Sequence, residues 1–273
     1  MLSAFPDLMG LYTALHDLLF LVMLCAARIF AVFSILQATS SQAVQGRLRS
    51  GLVILIAYFV AAGQSVDIIH AVSGLNLFFL ILKEVFLGVL LGYIAATAFW
   101  VAEAVGAMID NVAGYNNVQQ QNPLSSHQST PISAILLQLC ITIFYSLGGF
   151  LFLLGAIFET YRWWPITAIA PVPTAILERF VIIQTDTLMT QVVKISSPLL
   201  IVMVLIDLGF GLVAKTAGKL EPNSLAQPVK SATAILVVML SLHAFVQQLT
   251  LSLSLADFEQ QIKMWVDIIA TPR

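Results

Sequence analysis

A chain of 273 residues with 59% hydrophobic and only 10% charged side chains, at mean hydropathy +0.95, lies far from the roughly 25% charged norm of soluble domains. A formal net charge of −2 without a basic cluster leaves no footprint for nucleic acid, which excludes that class of partner. The composition is that of an integral membrane protein, or of part of a membrane-embedded assembly.

The chain opens with Asp7 and His16 and has no Lys or Arg before Arg28, the reverse of a signal peptide's basic start, so no cleaved leader is expected. Apolar runs follow at 8–36, 51–63, 75–102, 132–158, 192–217 and 232–256. Their lengths suit helices, since about 20 residues cross a bilayer core, and not barrel strands, which alternate in polarity over about ten residues. The expected fold class is all-α, a multi-helix integral membrane protein of one domain and six apolar helices. The second run, "GLVILIAYFVAAG", ends after thirteen residues before Gln64, Asp67 and His70. Runs of about 10 to 14 residues are more often protein-packed or re-entrant than spanning.

Charge inside these runs is the next clue. Arg28, Lys83, Glu84, Glu103 and Asp207 lie within or at the edges of apolar segments. A central charge costs about 2.5 to 3.5 kcal/mol on insertion scales, against about 0.3 to 0.6 gained per large aliphatic, so such residues are expected to face protein. Lys83 and Glu84 are adjacent and are expected to point to different sides of a helix, each needing a partner three or four residues away or on another chain. The positive-inside count leaves orientation open: Arg47, Arg49, Lys215, Lys219 and Lys230 on one side, Arg162, Arg179, Lys263 and Arg273 on the other.

"YRWWP", Tyr161–Pro165, reads as an interfacial aromatic anchor. "GVLLG", 88–92, permits close helix approach, and the glycines of 148–149 and 209–211 read as packing or kink sites. Cys25 and Cys140 sit in apolar runs without metal or redox spacing and are expected to be buried small hydrophobes. The four scattered histidines form no metalloprotease motif, and no nucleophile elbow or phosphate loop is present in the sequence. The expectation is a non-enzyme without a cofactor or metal. A stand-alone secondary transporter of a small solute, with Glu84, Glu103, Asp110 and Asp207 as a proton path, is the alternative. Against it, the two halves lack matching broken helices.

Between two apolar runs lies "GYNNVQQQNPLSSHQSTP", 114–131, with seven Asn and Gln and no charged residue. Such a segment reads as an ordinary connector or as something that must be polar without being ionic. Gly114 suits a hinge, and Pro123 and Pro131 bias their preceding residues away from helix.

Three ordered segments carry a family resemblance. They are "LKEVFLGVLLGYIAATAFWVAEAVGAMIDN" (82–111), "GGF" (148–150) and "SSPLLIVMVLIDLGFGLVAKTAGKLEPNSLAQPVKS" (196–231). The chain resembles the T subunit of the bacterial type III secretion export apparatus, the SctT family, homologous to flagellar FliR. The resemblance lies in the order and spacing of an acidic residue opening a G-x-x-x-G helix, the A-x-x-x-G-x-x-I-D-N segment, the S-P-x8-D-x3-G-x3-K helix and Q-P-V-K-S. "AGKLEPNSL", 217–225, departs from the family's A-P-Q-x-N-x-F, which puts that turn and its contacts in doubt. "IDN", 109–111, looks more like an injectisome chain than a flagellar one.

The resemblance implies a bacterial inner-membrane subunit whose helical hairpins pack in a larger helical export gate for unfolded proteins. It further implies five R-type and four S-type subunits around a single T copy, and a U-type switch subunit nearby. It divides the chain into R-like helices at 1–113, a pore-plug segment at 114–131 and S-like helices with a tail at 132–273. In that scheme Gly114, Tyr115, Asn116, Asn117, Gln119, Gln120, Gln121 and Asn122 are plug residues. Amides would seal a channel by hydrogen bonding without the desolvation cost of ions or fixed charges that attract them. Lys83, Glu84, Glu103, Asp110, Asp207 and Lys215 are the expected intersubunit polar contacts, with pairing inside the chain an equal alternative.

Overall fold

The computed structural model describes residues 5–40, 44–64, 74–114, 130–166, 174–216 and 222–252. Its elements are α1 (Phe5–Ile35), α2 (Gly46–Ala62), α3 (Gly74–Ala113), α4 (Pro131–Ser146), α5 (Gly149–Trp163), α6 (Thr174–Thr216) and α7 (Pro222–Ser252), with one 3-10 turn at Gln37–Thr39. Among the described residues there is no strand, so the fold is all-α as expected. Each apolar run is a helix except the fourth, which is two.

That break has a local cause. α4 starts with Pro131, whose missing N–H is one that a first helical turn leaves unbonded anyway. It ends at Gly148, whose φ of +72° is left-handed and strains any residue with a Cβ. Gly149 then runs under the Phe144 ring, 2.5 Å from where a Cβ would sit. The outcome is a bend of 70° between α4 and α5. The expected kink is real and divides the run.

Three described helices are long and apolar enough to cross a membrane, over Gly10–Ile35, Leu77–Ala113 and Val181–Val213, and the bent α4–α5 pair counts as a fourth if it forms one span. The chain is a multi-helix membrane protein. α2, with 17 residues, is not among the candidate spans, in keeping with the short second run.

The chain divides into two compact units, one of Met1–Ala96, Leu151–Thr174 and Ile269–Arg273, the other of Thr97–Phe150 and Ala175–Ile268. In the first, α1 packs against α2, burying Leu21, Cys25, Ile29 and Val32 on one stripe of α1 and Val53, Ile56, Ala57 and Val60 on α2. The opposite stripe of α1, with Leu11, Leu15, Leu19 and Met23, is exposed and apolar. A helix apolar on all sides belongs inside protein or lipid.

In the second unit the end of α3 buries Phe99, Val105 and Ile109, and α4 buries Leu136, Cys140 and Phe144, with Phe99 and Phe144 meeting edge to face at 5.4 Å. α6 passes through Pro198 without interruption. Proline cannot donate to the Lys194 carbonyl, and the Ser197 hydroxyl donates to it instead, at 3.4 Å.

Candidate functional site

In the first unit the site starts from Arg28, which α1 carries into the core at zero exposure. Such a side chain survives only if its donors are met. Its Nε donates to Glu84 Oε2 at 2.7 Å and its Nη2 to Glu84 Oε1 at 3.0 Å, the two-point pairing that matches a guanidinium to a carboxylate. Nη1 donates to Thr160 Oγ1 at 3.0 Å and Nη2 also to the Trp164 carbonyl at 3.1 Å. The Tyr161 ring lies 3.9 Å from the guanidinium carbon, and its hydroxyl donates to the Cys25 carbonyl at 2.8 Å. One side chain thus ties α1 to α3 and α5.

Two expectations are corrected here. Tyr161 is not an interfacial anchor: it is 5% exposed, because its ring packs against the buried Arg28 cation and its hydroxyl is taken by the Cys25 carbonyl. Nor do Lys83 and Glu84 point apart. The four-carbon stem of Lys83 bends back, so that Nζ lies 2.9 Å from Glu84 Oε1 and donates to the Pro165 and Ile166 carbonyls at 3.1 and 2.9 Å. The pairing rule for helix neighbours concerns direction from the backbone, and a long flexible side chain defeats it. Glu84 finds its partner on another helix of the same chain.

Two cations around one carboxylate leave an excess of positive charge. It sits at the end of α5, where unpaired carbonyls give a helix its negative pole, and the carbonyls of 164–166 face the cations. The G-x-x-x-G helix makes this geometry possible. A Cβ on Gly88 would lie 2.3 Å from the Arg28 carbonyl, and one on Gly92 3.2 Å from the Val32 Cα, so α3 and α1 touch backbone to backbone.

The second unit has a polar node that, among the described residues, contains no cation. Asp110, fully buried near the end of α3, accepts N–H bonds from Ile132 at 2.9 Å and Ser133 at 3.0 Å through Oδ2. It therefore caps the start of α4 from another helix. Ser133 Oγ donates to the Glu103 backbone carbonyl at 3.0 Å, and Glu103 itself is half-buried. Elsewhere in this unit Asp207 pairs with Lys230, Gln184 Nε2 donates to Thr97 Oγ1 at 3.0 Å, and Lys215 is exposed.

Of the expected plug residues Gly114 is described: it ends α3 with φ +80°. Tyr115, Asn116, Asn117, Gln119, Gln120, Gln121 and Asn122 lie outside the described residues. The glycines of 209–211 do not interrupt α6 and do not pack within the chain, since a Cβ on Gly209 or Gly211 meets nothing within 4 Å among the described residues. Cys25 and Cys140 are free and buried. Among the described residues no cluster of His, Cys, Asp and Glu could hold a metal.

Arg28, Thr160, Tyr161 and Lys230 were not singled out as a site from the sequence. Arg28 had a legible signal, since a lone Arg in an apolar run requires a carboxylate. Thr160 and Tyr161 had none, because their roles depend on where α5 docks.

Residues 19–255 match the model of bacterial export proteins, family 1. The chain belongs to this family. It is 35% identical over 214 residues to Yop proteins translocation protein T of Yersinia pestis, covering 78% of this chain and 82% of the relative. It is 24% identical over 234 residues to surface presentation of antigens protein SpaR of Shigella flexneri, covering 86% and 90%. Secretion system apparatus protein SsaT of Salmonella typhimurium is 26% identical over 166 residues, covering 59% and 62%. Within the export family the chain is thus a T subunit of type III secretion, a component of the export apparatus.

Proposed function

We propose that this T-family chain is a single-copy subunit of an inner-membrane export gate, joining five R-type and four S-type subunits beside a U-type subunit to form and close a pore for unfolded secreted proteins. Its work is opening and closing, with energy supplied by partners. The observation that carries this reading is α6. Along a candidate span it exposes Ile201, Val204, Leu205, Leu208 and Leu212 together with Lys194 and Asp207. In lipid the charge of Lys194 would cost about 2.5 to 3.5 kcal/mol, and the Asp207–Lys230 pair would face hydrocarbon too, so a protein cover suits this face better. The lone-carrier alternative finds less support, because Glu84 and Asp207 are paired with basic side chains and Asp110 with backbone amides.

The segment 114–131 is the proposed seal. The test is ion conductance and protein export in cells with the natural partners, comparing the intact chain with a deletion of residues 116–129. Higher conductance from an assembled complex is expected. Assembly with neither leak nor export altered would leave the segment a connector and end the seal reading.

A further inference from the structure

The α3–α4 junction is built more tightly than helix capping requires. α4 has its own cap residue in Thr130, whose hydroxyl could serve the first amides, yet Thr130 makes no such bond. Asp110 takes the amides of Ile132 and Ser133 from across the junction. Gly106 seats this arrangement: a Cβ there would lie 2.3 Å from the Ser133 Cα, so the two backbones are in contact. Ser133 Oγ closes a second link to the Glu103 carbonyl. One turn past Asp110, Gly114 ends α3, and Ser231 on α7 donates to the Ala113 carbonyl at 3.4 Å. The Oδ1 of Asp110 and the Oγ1 of Thr130 stay buried without a hydrogen-bond partner among the described residues. A residue kept merely to cap α4 is better supplied at 130, where the exposed backbone is local and no buried carboxylate is needed.

We propose that Asp110 is a positioning residue that clasps the two ends of the polar segment together. Counting one helical turn, one side chain and two peptide steps, the clasp holds Gly114 and Thr130 within about 20 Å, whereas the intervening chain fully extended would reach about 50 Å. Holding the two ends in advance lowers the entropy cost of closing the chain between them. Its consequence for sealing rests on the function proposed above; the clasp does not.

The test uses the full chain in its assembled complex, with spin labels on Asn111→Cys and Ile135→Cys and the buried Cys25 and Cys140 left in place. Asp110→Ala is expected to lengthen the label separation by on the order of 5 Å and broaden it, because α4 is then tied only through weaker contacts. Asp110→Asn keeps an acceptor oxygen and is expected to retain the narrow distribution. The deciding variant is Asp110→Ala with Thr130→Asp, which gives α4 a strong local cap without the tie to α3, and which also serves if Asp110→Ala alone does not assemble. A restored complex with a long, broad separation and an ion leak raised about threefold supports the clasp. That leak is expected to be indistinguishable from the 116–129 deletion alone when the two are combined. Full restoration of a short separation by Thr130→Asp would overturn the proposal, reducing Asp110 to a helix cap. A lengthened separation in a complex whose leak is insensitive to deleting the segment keeps the clasp and removes the seal.

Discussion

In the first unit the charges of α1 and α3 meet one another: Arg28 and Lys83 share the wholly buried Glu84 carboxylate and donate to the carbonyls at the end of α5. In the second, Lys194, Asp207 and Lys215 stand on the outer surface of α6, beside exposed Val204, Leu208 and Leu212. The glycines differ in the same way. Gly88 and Gly92 lie against α1, whereas Gly209 and Gly211 face open space. One region has its polar and small residues matched within the chain. On α6 Asp207 meets Lys230 of α7 yet stays exposed, and Lys194, Lys215 and the two glycines lie on a surface that a partner would complete.

The largest effect is expected at the buried pair. Glu84→Ala leaves a guanidinium without its carboxylate and should cost about 3 to 5 kcal/mol, read as loss of extractable complex or of its thermal stability. Arg28→Met combined with Glu84→Leu should recover part of that loss, since the buried pair is then gone and only the Lys83 ammonium remains, held by the Pro165 and Ile166 carbonyls. A failed recovery would mean that the pair does more than hold α1 to α3.

Next is Gly88→Val, which drives a side chain into the Arg28 carbonyl and should cost about 1 to 3 kcal/mol by the same assay. Tyr161→Phe removes one buried hydrogen bond to the Cys25 carbonyl while keeping the ring under the guanidinium, an expected loss of about 1 kcal/mol.

Gly209→Ala and Gly211→Ala reverse the sign. In the isolated chain each should be neutral or stabilise the helix by up to about 1 kcal/mol, because nothing stands in the way. A fall in complex yield at unchanged chain stability would reveal a partner backbone packed on that face. The smallest effect belongs to Asp207→Asn: the aspartate is 46% exposed, and such pairs contribute about 0 to 1 kcal/mol. Exchanging the two charges, Asp207→Lys with Lys230→Asp, should restore the wild-type melt.

Legibility followed the range of the interaction concerned. Apolar runs long enough for helices, a second run too short to span, a glycine pair that kinks and a G-x-x-x-G that packs are all local, and each could be read along the chain. Lys83 and Glu84 were read as charges in need of partners, correctly, but as side chains facing apart, wrongly, because the bend of a lysine stem is set by what awaits its ammonium group. Tyr161 was misread for a related reason. An aromatic residue at the end of an apolar run looks interfacial until a buried arginine from a helix more than a hundred residues away is found over its ring.

What the amino-acid order settled unaided was the solvent and the element type, since hydropathy and run length are sums over neighbours in the chain. The tertiary structure alone decided which carboxylate meets Arg28, which helix caps α4 and which glycines are crowded. Those depend on the contact of segments far apart in sequence, and a desolvated charge or amide is satisfied by whatever packing brings to it, not by what precedes it in the chain.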